Sequence, residues 1–161
     1  MLLMLILSLL YVLLGMRVDK MFIQVLCHAT EDEDKVMKAV ENIVGLDRMS
    51  RMKISSQVLK GYYGDPVTMI KLEVLDPETS TQIIREVFSK LSEYEKHDIV
   101  ENCIEKGKHG GRIYIRLDKQ AAYNRVLRLS DKDPIRIEVS VRGDVDKLID
   151  ILNYSGGGDT T

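Results

Sequence analysis

Residues 110–123 read GGRIYIRLDKQAAY, and the change of pattern inside them decides the fold. Ile113, Ile115 and Leu117 fall on one side and Arg112, Tyr114 and Arg116 on the other, the period of a half-buried strand. At Asp118 the alternation stops, and Lys119-Gln120-Ala121-Ala122, a run of good helix formers, follows. A strand that delivers cations and an amide to the mouth of a helix suits an anion. It is equally an ordinary strand-to-helix corner.

Working outward, the same two periods recur. Residues 21–28 predict a first strand. Thr30 and Glu33 form a capping box before a helix with Val36, Met37, Val40, Ile43 and Val44 on its apolar face. Residues 52–60 and 66–75 predict two strands joined by the turn GYYGDP. Asp76-Pro77 opens a helix through Leu91, and Ser92 with Glu95 opens another, expected to run to about Lys106 with Gly107 as its C-cap. After the opening strand come a short helix from Asp118 to about Arg125, the loop LRLSDKDP, a strand over 135–141, and a last helix capped by Asp144 and ending near Tyr154. The order β-α-β-β-α-α-β-α-β-α predicts an α+β fold. Its sheet is antiparallel or mixed, with helices mainly on one face and an inserted helical pair.

The 161 residues fit one domain, expected over 21–154 with a disordered tail at 155–161. Residues 1–20 form an apolar extension in which MLLMLILSLLYVLLGM carries no charge before Arg17. That run is short of the roughly 20 apolar residues of a membrane span. Three readings remain: a mis-assigned start upstream of Met16 or Met21, a membrane anchor, and a cleaved signal. Cys27 and Cys103 stand without a spacing motif, which points to a reducing compartment.

The net charge of −2 gives no global basic signature, so affinity for nucleic acid requires a local patch. Residues 101–144 hold ten Lys or Arg against seven Asp or Glu. No zinc spacing, G-x-S-x-G, Walker loop or dinucleotide fingerprint occurs. No catalysis, cofactor or metal is expected. Cys27 and His28, adjacent on a strand, point to opposite faces. KGKHGGR at 106–112 places Lys106, Lys108, His109 and Arg112 around glycines, which suits a phosphate and also suits a tight turn after a helix. Arg112, Tyr114 and Arg116 share a face able to hold a backbone and stack a base; cross-strand ion pairs to Glu73 or Glu138 are the alternative. Lys119, Gln120, Arg125 and Arg128 extend the basic surface. Tyr62 and Tyr63 at the hairpin tip are stacking platforms or turn packing.

HATEDEDKV at 28–36, LSEYEKHDI at 91–99 and RLDKQAAYNRVLRLSDKDPIRIEV at 116–139 resemble the archaeal RNA-binding protein family described as predicted exosome subunits. The resemblance runs from Met21 to about Val141 and is most specific at Lys119-Gln120-Ala121-Ala122. It implies a fold similar to that of the large-subunit ribosomal protein that binds 5S rRNA. It also implies RNA as partner, possible company with RNA-processing proteins, a cytoplasmic location and no membrane partner. By this reading Lys119 contacts RNA, Ala121 and Ala122 permit close packing, and Gln120 either binds or holds the corner. The rival reading is a protein-interaction module without RNA contact, anchored by Tyr94, Ile99 or Tyr114.

Overall fold

The structure, a computed structural model, describes residues 2, 3, 5, 6 and 17–155. Most of the apolar leader and the tail from 156 onward therefore lie outside the described residues. No helix among those described is long and apolar enough to cross a membrane.

Among the described residues six strands form one antiparallel sheet: β1 (Arg17–His28), β2 (Lys53–Lys60), β3 (Pro66–Val74), β4 (Ile104–Lys106), β5 (Gly110–Leu117) and β6 (Ile135–Arg142), in the order β2-β3-β1-β6-β5-β4. From Arg17 onward the helices among the described residues are α1 (Glu33–Val44), α2 (Pro77–Lys90), α3 (Glu93–Asn102), α4 (Lys119–Tyr123) and α5 (Val145–Ser155). A 3-10 turn over Leu46–Arg51 follows α1. The α+β fold is as expected, with the pair α2–α3 set between β3 and β4 in the chain.

Alternation in the central strands separates two faces. Ile23, Val25, Leu72, Ile70, Ile113, Ile115, Ile137 and Val139 turn to one side, where they join Val40 and Ile43 of α1, Ile84 and Phe88 of α2, and Leu148 and Leu152 of α5 in one core. Each fully buried aliphatic or aromatic side chain there contributes roughly 1.5–3 kcal/mol. Among the elements from β1 onward, no helix covers the opposite face apart from α3, whose Tyr94 and Asp98 border Tyr114 and Arg116 at its β5 margin.

Three local expectations change. β1 begins at Arg17, upstream of Met21, because Val18 pairs with Val141 and is 1% exposed in the core. The cap of α1 is Asp32, whose carboxylate accepts from the Asp34 N–H at 3.0 Å; Thr30 lies in the turn before it. The helix from Ser92 keeps its capping box with Glu95 but stops at Asn102. Ile104–Lys106 becomes an edge strand on Gly111–Ile113, and Gly107 is a hairpin turn residue instead of a helix cap.

Arg48 in the 3-10 turn donates to both carboxylate oxygens of Glu86 on α2, each at 2.7 Å, and to the Val44 carbonyl at 3.0 Å. The hydrogen bond from Arg48 holds the Glu86 carboxyl below its ordinary range. A depressed folded value means the unfolded chain takes up the proton first, so this stabilisation is present above the ordinary Glu range and lost as pH falls through the folded value. Glu86 is half exposed, so Arg48→Met is expected to cost about 1 kcal/mol at neutral pH. Urea unfolding should show that difference shrinking below about pH 4.

Candidate nucleic-acid interface

The face opposite the core is organised by strand register. Gln24 on β1 stands opposite Lys71 on β3 and Arg136 on β6; Lys71 faces Ser55 on β2, and Arg136 faces Arg116 on β5. The row Ser55–Lys71–Gln24–Arg136–Arg116 thus crosses five strands, about 19 Å at the usual strand spacing. The next row is Lys53–Glu73–Phe22–Glu138–Tyr114, and beyond it lies Lys20–Ser140–Arg112–Glu105. The Lys20 ammonium sits 5.4 Å from the centre of the Phe22 ring.

Part of this charge is already matched. Arg112 lies 3.2 Å from Glu138, Arg116 lies 3.6 Å from Asp131, and the Tyr114 hydroxyl donates to Glu105 at 3.0 Å. Lys71 and Arg136 have no ion pair among the described residues. Arg136 stands directly opposite Arg116, a like-charge pair that costs stability and that Asp131, 3.6 Å from Arg116 and lining a cleft with Arg136, offsets in part.

The expected residues separate into groups. Arg112, Tyr114 and Arg116 share the open face. Lys106 ends β4, Lys108 and His109 lie in the turn after it, and the three, with Arg142 and Asp144, line a cleft of about 590 Å³. Asp146 accepts from Lys106 at 2.8 Å and raises its pKa, so that cation stays charged but is engaged. Arg128 joins Tyr94, Tyr114 and Arg116 around a second cleft, of about 520 Å³. Arg125 is exposed in the turn after α4, in the left-handed region at φ 63°. Gln120 is exposed beside Lys35, Tyr123 and Lys132 in a third cleft.

The hairpin glycines have a different use from the one their sequence suggests. A Cβ on Gly110 would lie 2.1 Å from the Val141 carbonyl oxygen, and one on Gly111 2.4 Å from that of Glu105. They are glycines because neighbouring strands come that close. The Gly107 N–H is also spent, on the Gly110 carbonyl at 2.7 Å.

Lys119 turns away from solvent. Its ammonium donates to the Leu26 carbonyl at 2.7 Å, to Glu31 at 3.0 and 3.1 Å and to Asp133 at 2.8 Å, and its side chain is 13% exposed. His28 approaches Asp133 at 3.1 Å. His28, Glu31 and Asp133 bring three potential metal ligands together, but the ammonium already supplies the positive charge between the two carboxylates. With its donors committed to protein, Lys119 fastens the corner between β1, α4 and the loop before β6. Lys119→Met leaves two facing carboxylates without their cation, in a partly buried site. It is expected to cost about 2–3 kcal/mol. Urea unfolding together with an RNA titration should show stability falling while affinity of the folded variant stays within about twofold.

Lys71, Arg136, Gln24 and Phe22 are the open-face residues that sequence reading passes over. Each strand's alternation sets them opposite the core, but only the pairing register aligns them.

Fold and surface together define an α+β domain with one helix-covered face and one open, cation-bearing face. The chain belongs to the RNA-binding family, whose model, described as RNA binding, matches residues 20–141. It is 28% identical over 123 residues to an RNA-binding protein of Pyrococcus abyssi, covering 74% of this chain and 79% of that protein. A Methanocaldococcus jannaschii protein is 32% identical over 114 residues, 67% of this chain and 73% of that one. The fold is shared with a DUF54 protein of Methanothermobacter thermautotrophicus, TM-score 0.68 at 21% identity, covering 84% of this chain and 98% of that one. A Sulfolobus solfataricus protein of the same family matches equally well, over 85% and 96% of the two chains.

Proposed function

We propose that this chain is a non-catalytic RNA-binding protein that holds structured RNA, ribosomal RNA included, on the open face of its sheet and the Lys106–Arg112 hairpin. It acts in the cytoplasm alongside RNA-processing proteins such as the exosome. A kinship with the ribosomal protein fold that binds 5S rRNA belongs to the same proposal. The observation that carries it is the row Lys71–Gln24–Arg136–Arg116, in which two cations lack ion pairs among the described residues and two arginines face each other. A phosphate between Arg136 and Arg116 relieves that repulsion with charge-assisted hydrogen bonds. Phe22 and Tyr114 in the adjoining row offer ring faces for unpaired bases.

Glu73 and Glu138 interrupt the basic surface, so few phosphates are neutralised at once. Binding to hairpin, duplex and single-stranded RNA, measured across a salt series, is expected to fall with a log–log slope of about −2 to −4. Absence of binding to all three at low salt would refute the proposal.

A further inference from the structure

We propose that β2 is the subunit interface of a homodimer, two copies joining their sheets edge to edge about a two-fold axis at Ser56. β2 is the last strand of the sheet, and among the described residues nothing pairs with its outer edge. Seven of its eight residues are exposed, Leu59 alone being half-buried. Natural edge strands are guarded by prolines, bulges, short length or charges placed mid-strand. KISSQVLK has none of these: its eight residues pair with β3 in unbroken register, and its lysines stand only at the two ends.

The pattern along β2 also identifies the occupant. Ile54 and Val58 lie on the face that continues the core side of the sheet, opposite Leu72 and Thr68, yet among the described residues they are 46% and 70% exposed. They are spaced symmetrically about Ser56. An antiparallel edge contact between identical strands keeps both sheet faces continuous only when the two-fold passes through a residue. Centred on Ser56, it sets Ile54 against Val58 of the partner copy in both directions and Ser55 against Gln57, with the end lysines facing Leu59 and Met52. Centring on Ser55 or Gln57 instead sets Ile54 against Ser56 or Lys60. The sequence is therefore self-complementary in one register, and the partner that fits is a second copy of this chain.

The same register carries Tyr62 and Tyr63, 96% and 90% exposed, past the end of the partner's strand on the side of its Leu46–Arg51 turn, where Leu46 is 68% exposed. One contact would thus cover apolar side chains that the single subunit leaves in water, and add about one backbone hydrogen bond per paired residue. This inference does not depend on RNA binding.

Sedimentation of the full chain without RNA is expected to show a dimer. Val58→Lys alters an exposed position, so the fold should persist by circular dichroism. The charge enters the interface twice, and dimer dissociation should strengthen at least about 100-fold. A second set of variants reads the register without relying on that change. On oxidation Ser56→Cys should cross-link to itself. Ser55→Cys and Gln57→Cys should each stay uncrosslinked alone and cross-link when mixed. A monomer at every concentration, a dimer indifferent to Val58→Lys, or equal cross-linking at all three positions would overturn the proposal.

Discussion

Arg116→Glu/Arg136→Glu is expected to lower RNA affinity by about 100-fold at low salt and to flatten the salt dependence by about two units of slope. Both residues are exposed on the open face, and neither anchors the core. Among the described residues Arg136 has no ion pair to lose, and Arg116 loses only its contact to the exposed Asp131. The double variant should therefore unfold within about 0.5 kcal/mol of the parent, so a fall in binding reports on the surface. Lys71→Glu, in the same row across β1, should add to the loss. If the variants bind as tightly as the parent, the open face is not the contact, and the cleft around Lys108, which holds neither arginine, becomes the next place to test.

Gly110→Ala is expected to cost about 3–4 kcal/mol, the largest stability effect of any single methyl here. The added carbon would meet the backbone of β6, not a side chain that can rotate aside. Relief requires β5 to move off β6 at the end of β5 beside the β4–β5 turn, which also opens the approach of β4. Gly107→Ala is the matched control: its Cβ would stand at 3.4 Å from the Gly110 carbonyl, close to ordinary contact, and it should cost less than about 1 kcal/mol. Thermal or urea unfolding of the pair separates a glycine needed for strand approach from one that merely sits in a turn.

The parts of this fold legible in the sequence are those that local chemistry fixes. Alternation over Arg112–Leu117 and Ile135–Val141 marks two strands whose inward residues are buried as expected. Ser92 and Glu95 form their capping box because both partners lie within one turn. Ile104–Lys106 is three residues long, too short to show a period, and its strand state is imposed by Gly111–Ile113 across the hairpin. The Thr30-x-x-Glu33 spacing points to Thr30 as the cap, yet Asp32 offers the same acceptor two residues later, and the fold uses Asp32.

The site divides in the same way. That Arg112, Tyr114 and Arg116 share a face follows from one strand. That Arg136 and Lys71 extend their surface follows only from the pairing of four strands. Lys119 shows the limit most sharply, since one of its carboxylate partners lies 88 residues away in sequence. A cation beside a helix start looks available to RNA until the fold brings Glu31 to it.

The central place of β1 sets the order in which the molecule can be completed during synthesis. β1 is flanked on one side by β3, which leaves the ribosome soon after it, and on the other by β6, made near the end. At about 5–20 residues per second, the stretch between Val74 and Ile135 takes roughly 3–12 s to translate. Throughout that interval Ile23 waits for Ile137, and the apolar flank of a half-built sheet stands open to other nascent chains. Sheet closure is thus a late, non-local event of the kind that folds slowly, and expression yield should respond to chaperone supply more than to the stability of the finished protein.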